Sequence, residues 1–138
     1  MRYFTVATVL IAVFITYSVY FAEARPGKRL DERTKMCRVI ADGGELDWNS
    51  EPWGTGGIKF RAVCKSCHTR DNDKGATFLH AESYTSDAWN NIFARRKTVC
   101  AKDGSWGVLS EDEIQLVNDY LFRNANWTYN PNDADTCG

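Results

Sequence analysis

Two cysteines and a histidine lie together in one pentapeptide, Cys64-Lys65-Ser66-Cys67-His68. The C-x-x-C-H spacing is the attachment signature of a c-type haem. Two thiols about one helical turn apart project from the same side of the backbone, where they can add to the two vinyl groups of one porphyrin. The imidazole that follows directly can turn beneath the ring and bind iron. The motif occurs once, so the sequence predicts one covalent haem c, anchored by Cys64 and Cys67, with His68 as the proximal ligand.

The same cysteine pair has two other interpretations, a redox dithiol and half of a zinc site. A dithiol enzyme has no need of the histidine, and no thioredoxin-like pattern of strands and helices surrounds the pair. A zinc site needs a second pair of ligands at similar spacing. The remaining candidates occur singly along the chain: Cys37, Cys100, Cys137 and His80. Haem attachment is therefore the favoured interpretation.

The first 24 residues have the pattern of an export signal. Arg2 supplies an early positive charge, residues 4–21 are almost wholly apolar or hydroxyl-bearing, and Ala22-Glu23-Ala24 forms an A-x-A cleavage site. Cleavage after Ala24 would leave a mature chain that begins at Arg25. The apolar run approaches the roughly 18 residues of a membrane span, so an uncleaved anchor is the alternative. Either outcome predicts a periplasmic or extracellular location for the rest of the chain.

Three cysteines remain in a compartment where disulfides are stable. The favoured pair is Cys100 with Cys137, which would attach the C-terminal tail to the body of the domain and close a long loop. The competing pair is Cys37 with Cys137, with Cys100 left free. Sequence alone does not decide between these connectivities.

The charges of the chain nearly balance. Its 138 residues include 17 Lys and Arg against 18 Asp and Glu, a formal net charge of -1. A nucleic-acid-binding domain usually presents a basic face, so no nucleic-acid partner is expected. The expected partners are redox proteins. Contact with a membrane depends on the N-terminal segment staying uncleaved, and the oligomeric state is left open.

Helical periodicity surrounds the motif. Three helices are predicted, at residues 55–67, 86–96 and 110–124. Ser110 and Glu113 have the spacing of a capping box at the start of the last helix. A loop at residues 97–109 precedes it, with Gly104 and Gly107 as helix breakers.

The flanking segments carry weaker patterns. Residues 25–54 contain several Gly and Pro and predict an irregular extension, with a short helical possibility around residues 32–40. Residues 125–138 predict a polar, turn-rich tail. No segment gives a convincing strand pattern.

The spacing Gly56-x-x-x-Phe60-x-x-x-Cys64-x-x-Cys67-His68 resembles the N-terminal helix and haem motif of class I cytochromes c. The last predicted helix, with Tyr120 and Leu121, is similar to that family's C-terminal helix, whose aromatic residue crosses the Gly/Phe helix at a small residue. Residues 75–79 resemble the family's loop after the motif, with Ala76 where proline is usual. The resemblance covers roughly residues 55–124. It implies an all-α fold wrapped round one haem, and single-electron transfer between redox partners.

The chain departs from this family at the second axial ligand, usually a methionine in the loop before the last helix. Residues 97–109 contain no methionine and no histidine. His80 is the leading distal candidate because imidazole is the best remaining iron donor, although the resemblance places it on the proximal side. The other possibilities are Cys100, Lys97, Lys102, Met36 and an iron site with no protein ligand.

Large flat side chains are expected to wall a haem in so small a domain. Phe60, Trp89 and Trp106 are the candidates, and the second ring nitrogen of His68 is expected to donate its hydrogen to a backbone carbonyl. The chain shows no catalytic serine, cleft-lining carboxylate pair or phosphate loop, and no catalytic residue is assigned.

Three functional hypotheses follow. The favoured one is an exported carrier of single electrons, not an enzyme. The second is a haem protein whose open or labile sixth site binds a diatomic gas or a small sulfur or peroxide substrate. The third is a haem-bearing subunit of a larger redox assembly.

Overall fold

The computed structural model describes residues 25–126 of the chain. The predicted export signal or anchor at residues 1–24 lies outside the described residues, as do residues 127–138 of the tail, including Cys137. Within the described part, no helix is both long and apolar enough to cross a membrane.

The described chain is small and helix-rich, and it carries a two-stranded sheet. The strands are β1 (Lys28–Asp31) and β2 (Met36–Val39). The helices are α1 (Asp47–Ser50), α2 (Thr55–Val63), α3 (Ser86–Arg95), α4 (Val99–Lys102) and α5 (Glu111–Arg123). Three 3-10 turns lie at Cys64–Ser66, Ala81–Ser83 and Ser105–Val108. The all-α prediction is confirmed in part. The described residues are rich in helix, but they also form a two-stranded sheet, so the fold is not all-α.

β1 and β2 form an antiparallel hairpin where the sequence predicted an irregular extension. Lys28 pairs with Val39, and the carboxylate of Asp31 closes the turn by accepting from the Thr34 hydroxyl at 2.7 Å. The prediction was wrong because the inward positions of β1 are the polar residues Arg29 and Asp31. The alternation of apolar residues that normally marks a half-buried strand is therefore missing.

A buried ion cluster fastens this hairpin to two helices. Arg29 is 1 % exposed and Asp119 is 0 % exposed. Nη2 of Arg29 lies 2.6 Å from Oδ1 of Asp119, and Nη2 of Arg38 lies 2.6 Å from Oδ2. Arg29 also donates from Nη1 to Asn90 on α3 and from Nη2 to Gln115 on α5, each at 2.9 Å. Buried charges are stable only when paired and hydrogen-bonded, so this cluster fixes the hairpin against α3 and α5.

Helices α2 and α5 cross closely at Gly56. A Cβ atom at this position would lie 2.1 Å from the carbonyl oxygen of Leu116 and 2.8 Å from Cβ of Tyr120. One turn further along α2, the ring of Phe60 lies 5.8 Å from the ring of Tyr120. The close approach needs a residue without a side chain, as the resemblance implied for this crossing. It positions the C-terminal end of α2, where the Cys64–His68 motif begins.

Side-chain caps set the starts of the two longest helices. Ser110 accepts from the Glu113 amide at 3.2 Å, and Glu113 accepts from the Ser110 amide at 2.9 Å. The predicted capping box is thus confirmed. Thr85 caps α3 by accepting from the Ala88 amide at 3.3 Å. The region at residues 97–109 is not simply a loop, since α4 and the last 3-10 turn lie within it.

Replacement of Ser110 with alanine is expected to lower the free energy of unfolding by about 1 kcal/mol, because the Glu113 amide loses its acceptor. Urea denaturation followed by circular dichroism measures this loss. Ser110→Asp is the matched control, since an aspartate oxygen also caps a helix. Equal stability of the alanine variant and the wild type would contradict the assigned role of Ser110.

Candidate functional site

The Cys64–His68 motif begins where α2 ends. Cys64 follows α2 and opens a 3-10 turn, so the main chain tightens at this residue. Its carbonyl accepts from the amide of Cys67 at 3.3 Å and from the amide of His68 at 3.0 Å. Cys64 and Cys67 both carry free thiols. One backbone turn therefore brings the two thiols and the imidazole into a single short stretch.

The imidazole of His68 is held by one main-chain hydrogen bond. Nδ1 lies 2.6 Å from the carbonyl oxygen of Thr77. A carbonyl oxygen only accepts, so Nδ1 carries the hydrogen; in the neutral imidazole Nε2 is then the nitrogen with the free lone pair. A metal-binding histidine almost always donates its other ring N–H in this manner. The predicted donation to a backbone carbonyl is confirmed, and Thr77 is the residue that supplies it.

An asparagine organises the segment that returns the chain to His68. Nδ2 of Asn72 donates to the Ala76 carbonyl at 2.7 Å, and its Oδ1 accepts from the Ala76 amide at 3.0 Å. Gly75 adopts a φ of 64°, a conformation that glycine accepts without steric strain. The amide of Leu79 then donates to the His68 carbonyl at 3.3 Å. The segment therefore runs back along the motif.

Cys64 lies against the hydrophobic core, which Trp106 and Leu109 also contact. Burial, together with the nearby thiols of Cys100 and Cys67, raises the pKa of the Cys64 thiol to about 12. Cys64 is accordingly a neutral thiol at physiological pH. The tertiary structure thus brings Cys100 within electrostatic range of the motif, although the two cysteines are far apart in sequence.

The three predicted wall residues belong to one aromatic cluster with Cys64. Phe60 and Trp89 are 4 % and 3 % exposed, so both lie inside the protein core. Trp106 is half-buried and stacks on Phe93, with ring centroids 4.9 Å apart. Phe93 was not among the predicted wall residues, although it lies in the helix predicted at residues 86–96. Phe93 is buried in the core, so Trp106 is the member of this pair that lies at the edge of the core.

The leading distal candidate, His80, lies on the surface. Its ring is 5.5 Å from the ring of Phe78, and its amide donates to the Ser83 hydroxyl at 2.9 Å. His80 follows Thr77 by three residues in the segment that contacts His68. Distal ligation by His80 stays a prediction, and this position places it in the segment that contacts the predicted proximal ligand, His68.

The other candidate ligands differ in their exposure. Met36 is 66 % exposed on β2. Lys97 and Lys102 are also exposed. Cys100 is part-buried, and its sulfur lies 3.5 Å from the hydroxyl oxygen of Thr98. Cys100 is therefore the most sheltered of these four side chains.

The favoured disulfide, Cys100 with Cys137, is wrong, because Cys100 is a free thiol. Cys37 is disulfide-bonded, whereas Cys64, Cys67 and Cys100 are free. The competing pair, Cys37 with Cys137, stays a prediction, because Cys137 lies outside the described residues.

Non-reducing peptide mapping of the full chain is therefore expected to recover Cys37 and Cys137 in one linked peptide pair. Cys100 should be alkylated without prior reduction. A Cys37→Ser variant is expected to expose one additional alkylatable thiol, at Cys137. Recovery of a linked Cys100–Cys137 peptide would contradict this assignment.

Several partners in the site could not be named from the sequence. The Thr77 carbonyl has no side-chain signature, and the approach of Cys100 to Cys64 depends on how α4 packs. Asn72 offered the one usable signal, since Asn in a short polar connector often bonds to nearby backbone.

Among residues 25–126, no group of three or more His, Cys, Asp and Glu side chains is arranged to hold a metal ion. No protein-family model, curated protein or solved structure matches this chain.

Proposed function

We propose that this chain is an exported monohaem c-type cytochrome that carries single electrons between redox proteins. The observation that carries the proposal is the arrangement of His68 directly after the two free thiols. Its Nδ1 hydrogen is committed to the Thr77 carbonyl at 2.6 Å, which leaves Nε2 available to bind iron.

The residues around the motif suit a haem. Cys64 and Cys67 would hold it through two thioethers, and His68 would bind its iron. The stacked pair Phe93 and Trp106 contributes flat apolar side chains to the core against which Cys64 packs. A bound haem would supply the one-electron chemistry, while the protein sets its potential and its access to water. The neutral, part-buried Cys64 thiol agrees with an apolar lining on this side.

The test uses the full chain, produced in a bacterial host with a c-type haem maturation system. Optical spectra of the oxidised and reduced protein are recorded with and without carbon monoxide, followed by a potentiometric titration. A covalent haem, a low-spin spectrum indifferent to carbon monoxide and a one-electron titration are the expected results. A purified protein that carries no covalent haem would overturn the proposal.

A second candidate function is a haem protein with an open or labile sixth site. The exposure of His80, Met36, Lys97 and Lys102 favours it, because a distal ligand usually lies within the protein. High-spin iron or ready binding of carbon monoxide would support this function over simple electron transfer. Cys100 would then be tested next, by comparing the Cys100→Ser spectrum with that of the wild type.

A further inference from the structure

The variable part of the motif contains a lysine whose side chain lies against residues 77–79. These three residues are called the proximal segment below. Nζ of Lys65 donates to the carbonyl of Leu79 at 2.7 Å. The same ammonium lies 4.0 Å from the centroid of the Phe78 ring. Lys65 is part-buried. It thus differs from an ordinary surface lysine, which is fully solvated and has no fixed partner.

The proximal segment has few other attachments near Thr77. Thr77 and Phe78 are exposed, and Leu79 is half-buried against the core. The main-chain bond from the Leu79 amide to His68 is 3.3 Å long, beyond the usual range for such a bond. The guanidinium of Arg70 lies 5.4 Å from the Phe78 ring. Side-chain burial therefore contributes little to holding this stretch in place.

Lys65 and His68 belong to the same backbone turn, whereas Leu79 lies two residues after Thr77. The contact from Lys65 to Leu79 therefore joins the two stretches on either side of the His68–Thr77 hydrogen bond. A charged donor makes a stronger bond to a carbonyl than a neutral one does. Loss of that bond would let the Thr77 carbonyl move away from the imidazole.

We propose that Lys65 is a positioning residue for the proximal ligand, holding the Thr77 carbonyl against Nδ1 of His68. It acts through its bond to Leu79 and its contact with Phe78. The consequence for the iron rests on the proposed function: a histidine that keeps this hydrogen bond is a more basic ligand with a fixed ring orientation. The hydrogen bond itself belongs to the protein and is measurable whether or not haem is attached.

The test measures exchange of the His68 Nδ1 hydrogen with solvent by nitrogen-15 nuclear magnetic resonance. It is made on the purified full chain in whatever haem state the chain is obtained. In Lys65→Met, exchange is expected to become about tenfold faster or more, because a hydrogen bond from a charged donor is lost. Lys65→Arg should stay close to the wild-type rate, since guanidinium also donates to a carbonyl and stacks on an aromatic ring.

Lys74→Met is the matched control. Lys74 is exposed, and its replacement with methionine removes the same charge from the same region of the chain. Its exchange rate should equal that of the wild type. Rates are divided by those of the α5 amides in each variant, so that a general loss of stability is separated from a local one. An unchanged ratio in Lys65→Met, or an equal rise in Lys74→Met, would overturn the proposal.

The two proposals fail in different ways. A purified chain without covalent haem would overturn the proposed function, while the exchange ratio would still decide the role of Lys65. The other outcome is a protein that carries covalent haem while the ratio of exchange rates is the same in Lys65→Met and the wild type. That result would support the proposed function and contradict the role of Lys65.

Discussion

The double variant Cys64→Ser, Cys67→Ser is expected to lose all covalently bound haem. A serine hydroxyl does not form the thioether that ties a vinyl group to the chain, and both attachment points are removed together. Intact mass under denaturing conditions and haem staining after denaturing electrophoresis measure the bound group. The wild type should carry the mass of one haem, and the double variant should have the mass of the polypeptide alone.

Cys100→Ser is the matched control for this variant. Cys100 also carries a free thiol, and it lies within electrostatic range of Cys64. It is not part of the motif, so its replacement should leave one covalent haem in place. Covalent haem in the double variant would contradict the assignment of Cys64 and Cys67. Loss of covalent haem in Cys100→Ser would assign an attachment role to Cys100 instead.

Replacement of Asp119 with alanine is expected to give the largest loss of stability among the single substitutions proposed. Both Arg29 and Arg38 would lose their carboxylate partner, and the side chain of Arg29 is completely buried. Removing one partner of a buried ion pair costs about 3–5 kcal/mol, because the remaining charge stays buried without compensation. Urea denaturation of wild type and variant measures the difference.

Glu32→Ala is the control for that experiment. Glu32 pairs with Lys35 in the same hairpin, but the two side chains are 40 % and 70 % exposed. Loss of such a surface pair is expected to change the free energy of unfolding by less than about 1 kcal/mol. A small effect of Asp119→Ala, equal to that of Glu32→Ala, would show that the hairpin is not fastened through Asp119.

The hairpin shows why the extension was predicted as irregular. Sequence patterns identify a strand from apolar residues on its buried face. Here the buried face of β1 carries Arg29 and Asp31, so the usual signal is absent. The residue that compensates Arg29 is Asp119, which lies 90 positions away in the chain. A long-range partner of this kind leaves no local mark in the sequence.

The helices were predicted well because their signals are local. The capping box of Ser110 and Glu113 fixes the first turn of α5 through two hydrogen bonds between residues three apart. The small residue at Gly56 and the aromatic at Tyr120 were expected to meet, and the backbone of α5 does lie against Gly56. The short helix α4 was missed, since four residues between two loops carry too little periodicity.

The sequence by itself determined that Cys64, Cys67 and His68 come together, because they lie within one backbone turn and need no distant residue to bring them together. It did not determine what holds the imidazole. The Thr77 carbonyl and the Lys65–Leu79 bond exist only after the intervening segment has folded back on the motif. The free state of Cys100 and the pairing of Arg29 with Asp119 were likewise decided by tertiary structure. Backbone carbonyls and long-range charge partners acquire their roles from proximity in space, and residue type does not encode that proximity.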